Sequence, residues 1–194
     1  MSKGRLEAFS DGVIAIIITI MVLELRMPQS AELAALRPLL PKFASYAVSF
    51  AFLGIYWNNH HHLLQATRHV DGRILWANMH LLFWLSLVPF VTAWAGETHF
   101  APIPVAAYGI VMVLAGCAYF LLSRLLIARH GLDSPLARAV GSDVKGRLSI
   151  ALYVAAVGFA FVLPWVSCAI YVGVAIMWIV PDLRIVRALE ESEE

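Results

Sequence analysis

The chain has 194 residues, 61% of them hydrophobic and 14% charged, with a formal net charge of +1. Water-soluble domains run at about 45–50% apolar and about 25% charged, so disorder, a fibrous repeat and an ordinary soluble globule are excluded. A charge so close to zero offers no basic face for a phosphate backbone, which excludes a nucleic-acid binder. Cys117 and Cys168 both lie in apolar runs and imply no disulfide framework. What remains is an all-α polytopic membrane protein. A bilayer-spanning helix takes about 20 apolar residues, so the chain has room for about six spans.

Six spans can be read in chain order: Leu6 to about Leu25, about Leu39 to Asn58, about Ile74 to Ala95, about Pro102 to Ile127, Leu148 to Leu163, and Trp165 to about Val180. Pro28, Pro38 and Pro41 punctuate the first loop. Pro102 and Pro104 open the fourth span, where a missing N–H costs least. Pro164 makes the last connection tight. Together the spans form one domain, 1–189, followed by the acidic tail 190–194.

The 14 basic residues set the orientation. With the N-terminus in the cytoplasm, eleven of them fall on the inner side: Lys3, Arg5, Arg68, Arg73, Arg124, Arg129, Arg138, Lys145, Arg147, Arg184 and Arg187. Only Arg26, Arg37 and Lys42 fall outside. This positive-inside bias predicts that both termini are cytoplasmic. Asp11 interrupts the first apolar run and no small-residue cleavage site follows it, so no cleavable signal peptide is expected. No internal duplication is visible, which weakens the case for a secondary transporter. Ser142-Asp143 reads as a cytoplasmic helix start.

The informative positions are polar residues at membrane depth, because an unpartnered ionisable group there costs at least about 2.5–3.5 kcal/mol. Asp11 follows Ser10 and precedes the run Val13 to Ile18. On a helical wheel Ile16, Thr19, Ile20, Leu23 and Met27 share one stripe, and Asp11 lies about 140° from it. Asp11 therefore needs a partner inside the protein. Trp57, Asn58, Asn59, His60, His61 and His62 at the end of span two, and Asn78 and His80 in span three, sit at similar depth, and histidine N–H or asparagine NH₂ groups are its candidate donors. A structural network joining three helices, a metal site and a proton relay all remain open. Adjacent histidines point about 100° apart, so one ion would need His61 with Gln65, or His80 with a span-two histidine. Haem would similarly need His61 or His62 opposite His80.

Other signals are weaker. Glu97 and His99 are expected to be solvated in a short outer loop, and Trp94, Trp165 and Trp178 to anchor the membrane interfaces. Gly109, Gly116, Gly158 and Gly173 are expected to mark close helix contacts.

Arg5-x-x-x-Phe9-Ser10-Asp11-Gly12, followed by the aliphatic run Ile14 to Leu25, resembles the first helix of the TMEM175 potassium channels, lysosomal and prokaryotic. The resemblance continues in Tyr56-Trp57-Asn58-Asn59-His60-His61, in Asn78, and in Leu87-Val88-Pro89-Phe90-Val91-Thr92. It implies a modestly potassium-selective cation leak channel of the plasma membrane that is not an enzyme and uses no cofactor. It further implies a homotetramer in which the first helix of each subunit lines the pore. Ile16 matches the constricting isoleucine, Thr19 the hydroxyl layer tied to potassium preference, and Ile20 and Leu23 continue that face. Arg5, Phe9, Ser10, Asp11, Trp57, Asn59, His60, His61, Asn78 and His80 match the structural motif and polar network. Protons are expected to share the pore. The rival readings are a histidine-based metal or haem protein and a proton-coupled small-solute transporter.

Overall fold

The computed structural model describes residues 2–28, 30–67, 69–131, 134–141 and 143–179. Arg68, Val180, Arg184, Arg187 and the tail 190–194 lie outside the described residues, as does the side chain of Arg138. Each apolar run becomes a helix: α1 (Lys3–Leu23), α2 (Leu40–Gln65), α3 (Gly72–Ser86), α4 (Val88–Glu97), α5 (Pro102–His130), α6 (Pro135–Val140), α7 (Val144–Phe159) and α8 (Pro164–Ile179). No strand occurs among the described residues. A short 3-10 helix, Leu33–Leu39, leads into α2.

Four segments, 3–23, 33–65, 72–97 and 102–130, are long and apolar enough to cross a bilayer. Helices α7 and α8 have 16 residues each, about 24 Å at about 1.5 Å per residue. Span five ends at Phe159, short of the expected Leu163, because the chain turns before Pro164. Span two instead continues to Gln65, its apolar face persisting past the histidines through Leu63 and Leu64. The third span is broken at Leu87 into α3 and α4. Pro89 has no N–H to offer the carbonyl of Leu85, so the helical ladder is interrupted there.

Side-chain caps fix three helix starts. Asp71 accepts from the Ile74 N–H at 3.0 Å, Ser134 from Ala137 at 3.1 Å, and Asp143 from Gly146 at 3.1 Å. The last of these is the helix start expected at Ser142-Asp143.

Helix α1 packs on α2, α3 and α4; α3 and α4 pack on α5; α7 packs on α5 and α8, and α8 returns to α2. The tightest approach is at Gly109. A Cβ there would fall on the Tyr171 hydroxyl and 2.7 Å from Val157 Cγ2, and one at Gly116 would meet Ile150 at 3.0 Å. Gly158 and Gly173 are different: a Cβ on either meets nothing within 4 Å. They face away from neighbouring helices, which corrects the expectation of close contacts there. Because lipid is as apolar as a helix face, polar groups hold such a bundle as much as packing does. Tyr171 Oη donates to the Val105 carbonyl (2.9 Å) and Ser167 Oγ to that of Ala156 (2.7 Å). The Trp178 indole N–H donates to Ser149 Oγ at 2.8 Å, joining α8 to α7.

Candidate functional site: the first helix and its polar seam

Helix α1 has two faces. Leu6, Ser10, Ile14, Ile17 and Met21 are buried against the bundle. On the opposite face Ile16 is 58% exposed, Ile20 43% and Leu23 78%, with Thr19 exposed among them. At about 100° per residue Arg5 and Phe9 fall on this same stripe, and both are exposed. The exposed face thus begins at Arg5, about three turns before Ile16. Sequence reasoning placed Arg5 and Phe9 with the polar network, although the wheel that found Ile16 and Leu23 also includes them. Thr19 Oγ1 donates to the Ile16 carbonyl at 2.9 Å, so its oxygen lone pairs stay available on the exposed side.

Behind α1 the polar residues divide into two sets. The buried set joins three helices: Ser10 Oγ donates to the Leu6 carbonyl (2.8 Å), Asn78 Nδ2 donates to Ser10 Oγ (2.9 Å), and Asn78 Oδ1 faces His60 Nε2 at 2.7 Å. Ser10 and Asn78 are 0% exposed and His60 is 1% exposed. Since Asn78 offers His60 an acceptor, the imidazole donates from Nε2. Its Nδ1 then holds a lone pair with no partner among the described residues.

The second set runs along the rim of α1 and α2. Trp57 Nε1 donates to Asp11 Oδ1 at 3.0 Å, His61 Nδ1 lies 3.7 Å from Glu7 Oε1, and Lys3 Nζ donates to the Gln65 carbonyl at 2.9 Å. Positions 3, 7 and 11 on α1 meet 65, 61 and 57 on α2, four residues apart on each antiparallel helix, like rungs. Trp57 and His61 also stack, with ring centroids 5.9 Å apart.

Asp11 is therefore paired by an indole, and neither a histidine nor an asparagine reaches it. Ser10, one residue and about 100° away, is the group turned into the bundle to meet Asn78. His80 lies outside the network. It is exposed, and it accepts from Trp84 on its own helix at 2.8 Å. Asn59 bonds within α2, Nδ2 donating to the Ile55 carbonyl at 2.9 Å, while its own carbonyl accepts from Tyr119 Oη at 3.2 Å. With His80 facing outward, the opposed histidine pair that haem needs is not formed. No group of three His, Cys, Asp or Glu side chains able to hold a metal occurs among the described residues.

At the other end of α1, Lys42 Nζ pairs with Glu97 Oε1 at 2.6 Å, tying α2 to α4. Glu97 is exposed, as expected, but it is the ion-paired last residue of α4 and not a loop residue. A further polar seam lies between α2, α4 and α5. Ser49 Oγ sits 3.0 Å from Tyr108 Oη and 2.7 Å from Thr92 Oγ1, and Thr92 Oγ1 donates to the Val88 carbonyl at 2.6 Å. Only the order Tyr108 to Ser49 to Thr92 to Val88 gives every hydroxyl hydrogen an acceptor. Sequence reasoning missed this seam, because hydroxyls cost too little in an apolar helix to stand out.

The family described as "Endosomal/lysosomal potassium channel TMEM175" matches residues 5–89, the stretch that carries the stripe and, apart from Lys3, both polar sets. A potassium channel of Chryseobacterium sp. (strain P1-3) is 51% identical over 192 residues, covering 99% of this chain and 100% of that one. The human endosomal/lysosomal proton channel TMEM175 is 38% identical over 84 residues, 35% of this chain and 17% of that one. Among solved structures, the lysosomal potassium-selective channel TMEM175 homolog from Chamaesiphon minutus superposes with a TM-score of 0.79 at 29% identity, covering 91% of this chain and 95% of that one.

Proposed function

The chain belongs to the TMEM175 family as a prokaryotic, multi-pass membrane member, and from that premise we propose that it is a potassium-selective cation leak channel. Its relatives from Chryseobacterium and Chamaesiphon are named as potassium channels. In our reading, residues 1–189 form one six-helix channel domain in the plasma membrane, with both termini cytoplasmic. Four subunits place their α1 stripes around a common axis.

The observation that carries the proposal is the two-faced α1. Its exposed face is aliphatic with one hydroxyl, while its opposite face is anchored by Ser10 and the buried aliphatics. Four copies of Ile16 form an apolar neck that closes by dewetting. Four Thr19 oxygens, each with its proton turned back to the Ile16 carbonyl, offer lone pairs to an ion that has shed part of its water. Potassium sheds water more readily than sodium because its field is weaker, so such a ring prefers it modestly. Ile20 and Leu23 continue the wall. Protons cross the same neck when a water wire fills it; the family's human relative, named a proton channel, favours this secondary activity.

Single-channel recording in planar bilayers tests the reading. Thr19→Ala is expected to lower the potassium-to-sodium permeability ratio several-fold while conduction persists. Ile16→Asn is expected to raise conductance by wetting the neck. An unchanged ratio in the first and unchanged conductance in the second would remove the pore assignment. Saturable, proton-coupled uptake in place of ohmic current would indicate a transporter.

A further inference from the structure

The far side of the bundle holds a group that the pore does not use. Asp143, the N-cap of α7, has φ 44°, a left-handed conformation that few residues other than glycine adopt. Its carboxylate lies across the helix end, accepting from the Gly146 N–H at 3.1 Å. A Cβ on residue 146 would collide with that carboxylate, so a glycine is required there. Burial pushes the Asp143 carboxyl upward, against the opposing pull of Arg147 and Arg124.

Asp143 borders a cavity of about 40 Å³ between α2, α5, α7 and α8. About 10–15 Å³ holds one water, so the space takes about three waters, or one small ion with part of its shell. Tyr56 and Tyr153 also line it. Tyr153 is 3% exposed, and neither phenol has a hydrogen-bond partner among the described residues. Asn59 lines the cavity as well; its Nδ2 is committed to the Ile55 carbonyl, which leaves its Oδ1 for the cavity. Ser149 Oγ donates to the Lys145 carbonyl and accepts from Trp178, keeping a lone pair. The polar lining is thus rich in oxygen acceptors, one of them anionic, inside aromatic walls. That combination suits a compact cation, through oxygen ligation and cation–π attraction. No residue of α1 lines it.

We propose that this cavity is a second cation site in each subunit, off the conduction path, that takes one small monovalent cation, either an alkali-metal ion or ammonium. The proposal stands independently of the pore assignment. The full chain, purified in detergent in choline chloride at constant ionic strength, is titrated with potassium chloride or with ammonium chloride. Thermal unfolding and the fluorescence of Trp178, assigned by difference from Trp178→Phe, are followed together. The expected result is a saturable rise in melting temperature and a saturable fluorescence change, with no response to tetraethylammonium, which is too large for the space. A response to ammonium alone identifies the aromatic walls as the selecting element, and a response to both ions identifies the oxygens. Asp143→Asn keeps a good N-cap and removes the charge, so the half-saturating concentration should rise at least tenfold. Tyr56→Phe, which keeps the ring, should weaken binding several-fold, and it decides the matter if Asp143→Asn does not fold. Thr19→Ala should leave the response intact. Absence of a saturable response, its persistence at full strength in Asp143→Asn and Tyr56→Phe, or its loss in Thr19→Ala would overturn the proposal.

Discussion

Asn78 is where three helices meet through one side chain. Its amide donates to Ser10 on α1 and its carbonyl accepts from His60 on α2, with all three residues buried. Asn78→Ala orphans the His60 ring N–H in a dry interior, at about 1–3 kcal/mol, while the Ser10 hydroxyl loses a donor but keeps its own bond to the Leu6 carbonyl. A clear drop in the melting temperature of the solubilised protein is expected. Trp57→Phe removes the bond to Asp11, but that bond lies at the exposed rim where water can replace the indole. Its cost should stay below about 1 kcal/mol, and equal losses in the two variants would refute this ranking. The sequence made it legible that Ser10, Asp11, His60 and Asn78 share a depth. Which of them touch was not legible. Polarity says that a group needs a partner, while the rotation of each helix decides which partner it finds. A turn of about 100° separates Ser10, which enters the bundle, from Asp11, which stays on its rim.

The helices themselves were readable, because each apolar run is long enough to exclude other folds. Their ends and faces were less so. Span two continued past its histidines, and the third span broke at Leu87, where Pro89 lacks a donor. The four glycines expected at contacts separated into two pairs, because composition does not tell which face of a helix is occupied. Gly109→Ala forces a methyl onto the Tyr171 hydroxyl and Val157, an overpacking that costs typically about 1–3 kcal/mol. Gly158→Ala meets open space in the last turn of α7, and replacing a glycine by alanine at a compatible backbone conformation gains roughly 0.4–1 kcal/mol. Parallel thermal melts should therefore move in opposite directions. If both variants melt lower, Gly158 is packed in the assembled protein.

At the scale of the whole molecule, the α1 stripe is a continuous exposed face in the single subunit, and it must meet either lipid or copies of itself. The proposed tetrameric pore requires water on that face. In a chain whose Cys117 and Cys168 have been replaced, Leu23→Cys should react with a membrane-impermeant thiol reagent and lose current. Trp76→Cys, on the outward face of α3 and 78% exposed, should be inert to the reagent at the bilayer surface. Reaction at both positions, or at neither, would argue against a water-lined axis. The stripe was legible in the sequence from Ile16 to Leu23, since helical period alone defines it; the same period includes Arg5 and Phe9, which their polar and aromatic motif assigned to the network instead. The rungs between α1 and α2 have a mechanical consequence. Lys3, Glu7 and Asp11 engage Gln65, His61 and Trp57 in one register, so spinning α1 about its own axis would strain all three attachments at once. The two helices therefore behave as a single lever, and in the proposed pore a change in bore at Ile16 is expected to arrive as a tilt of that pair, carrying the histidine end of α2 with it.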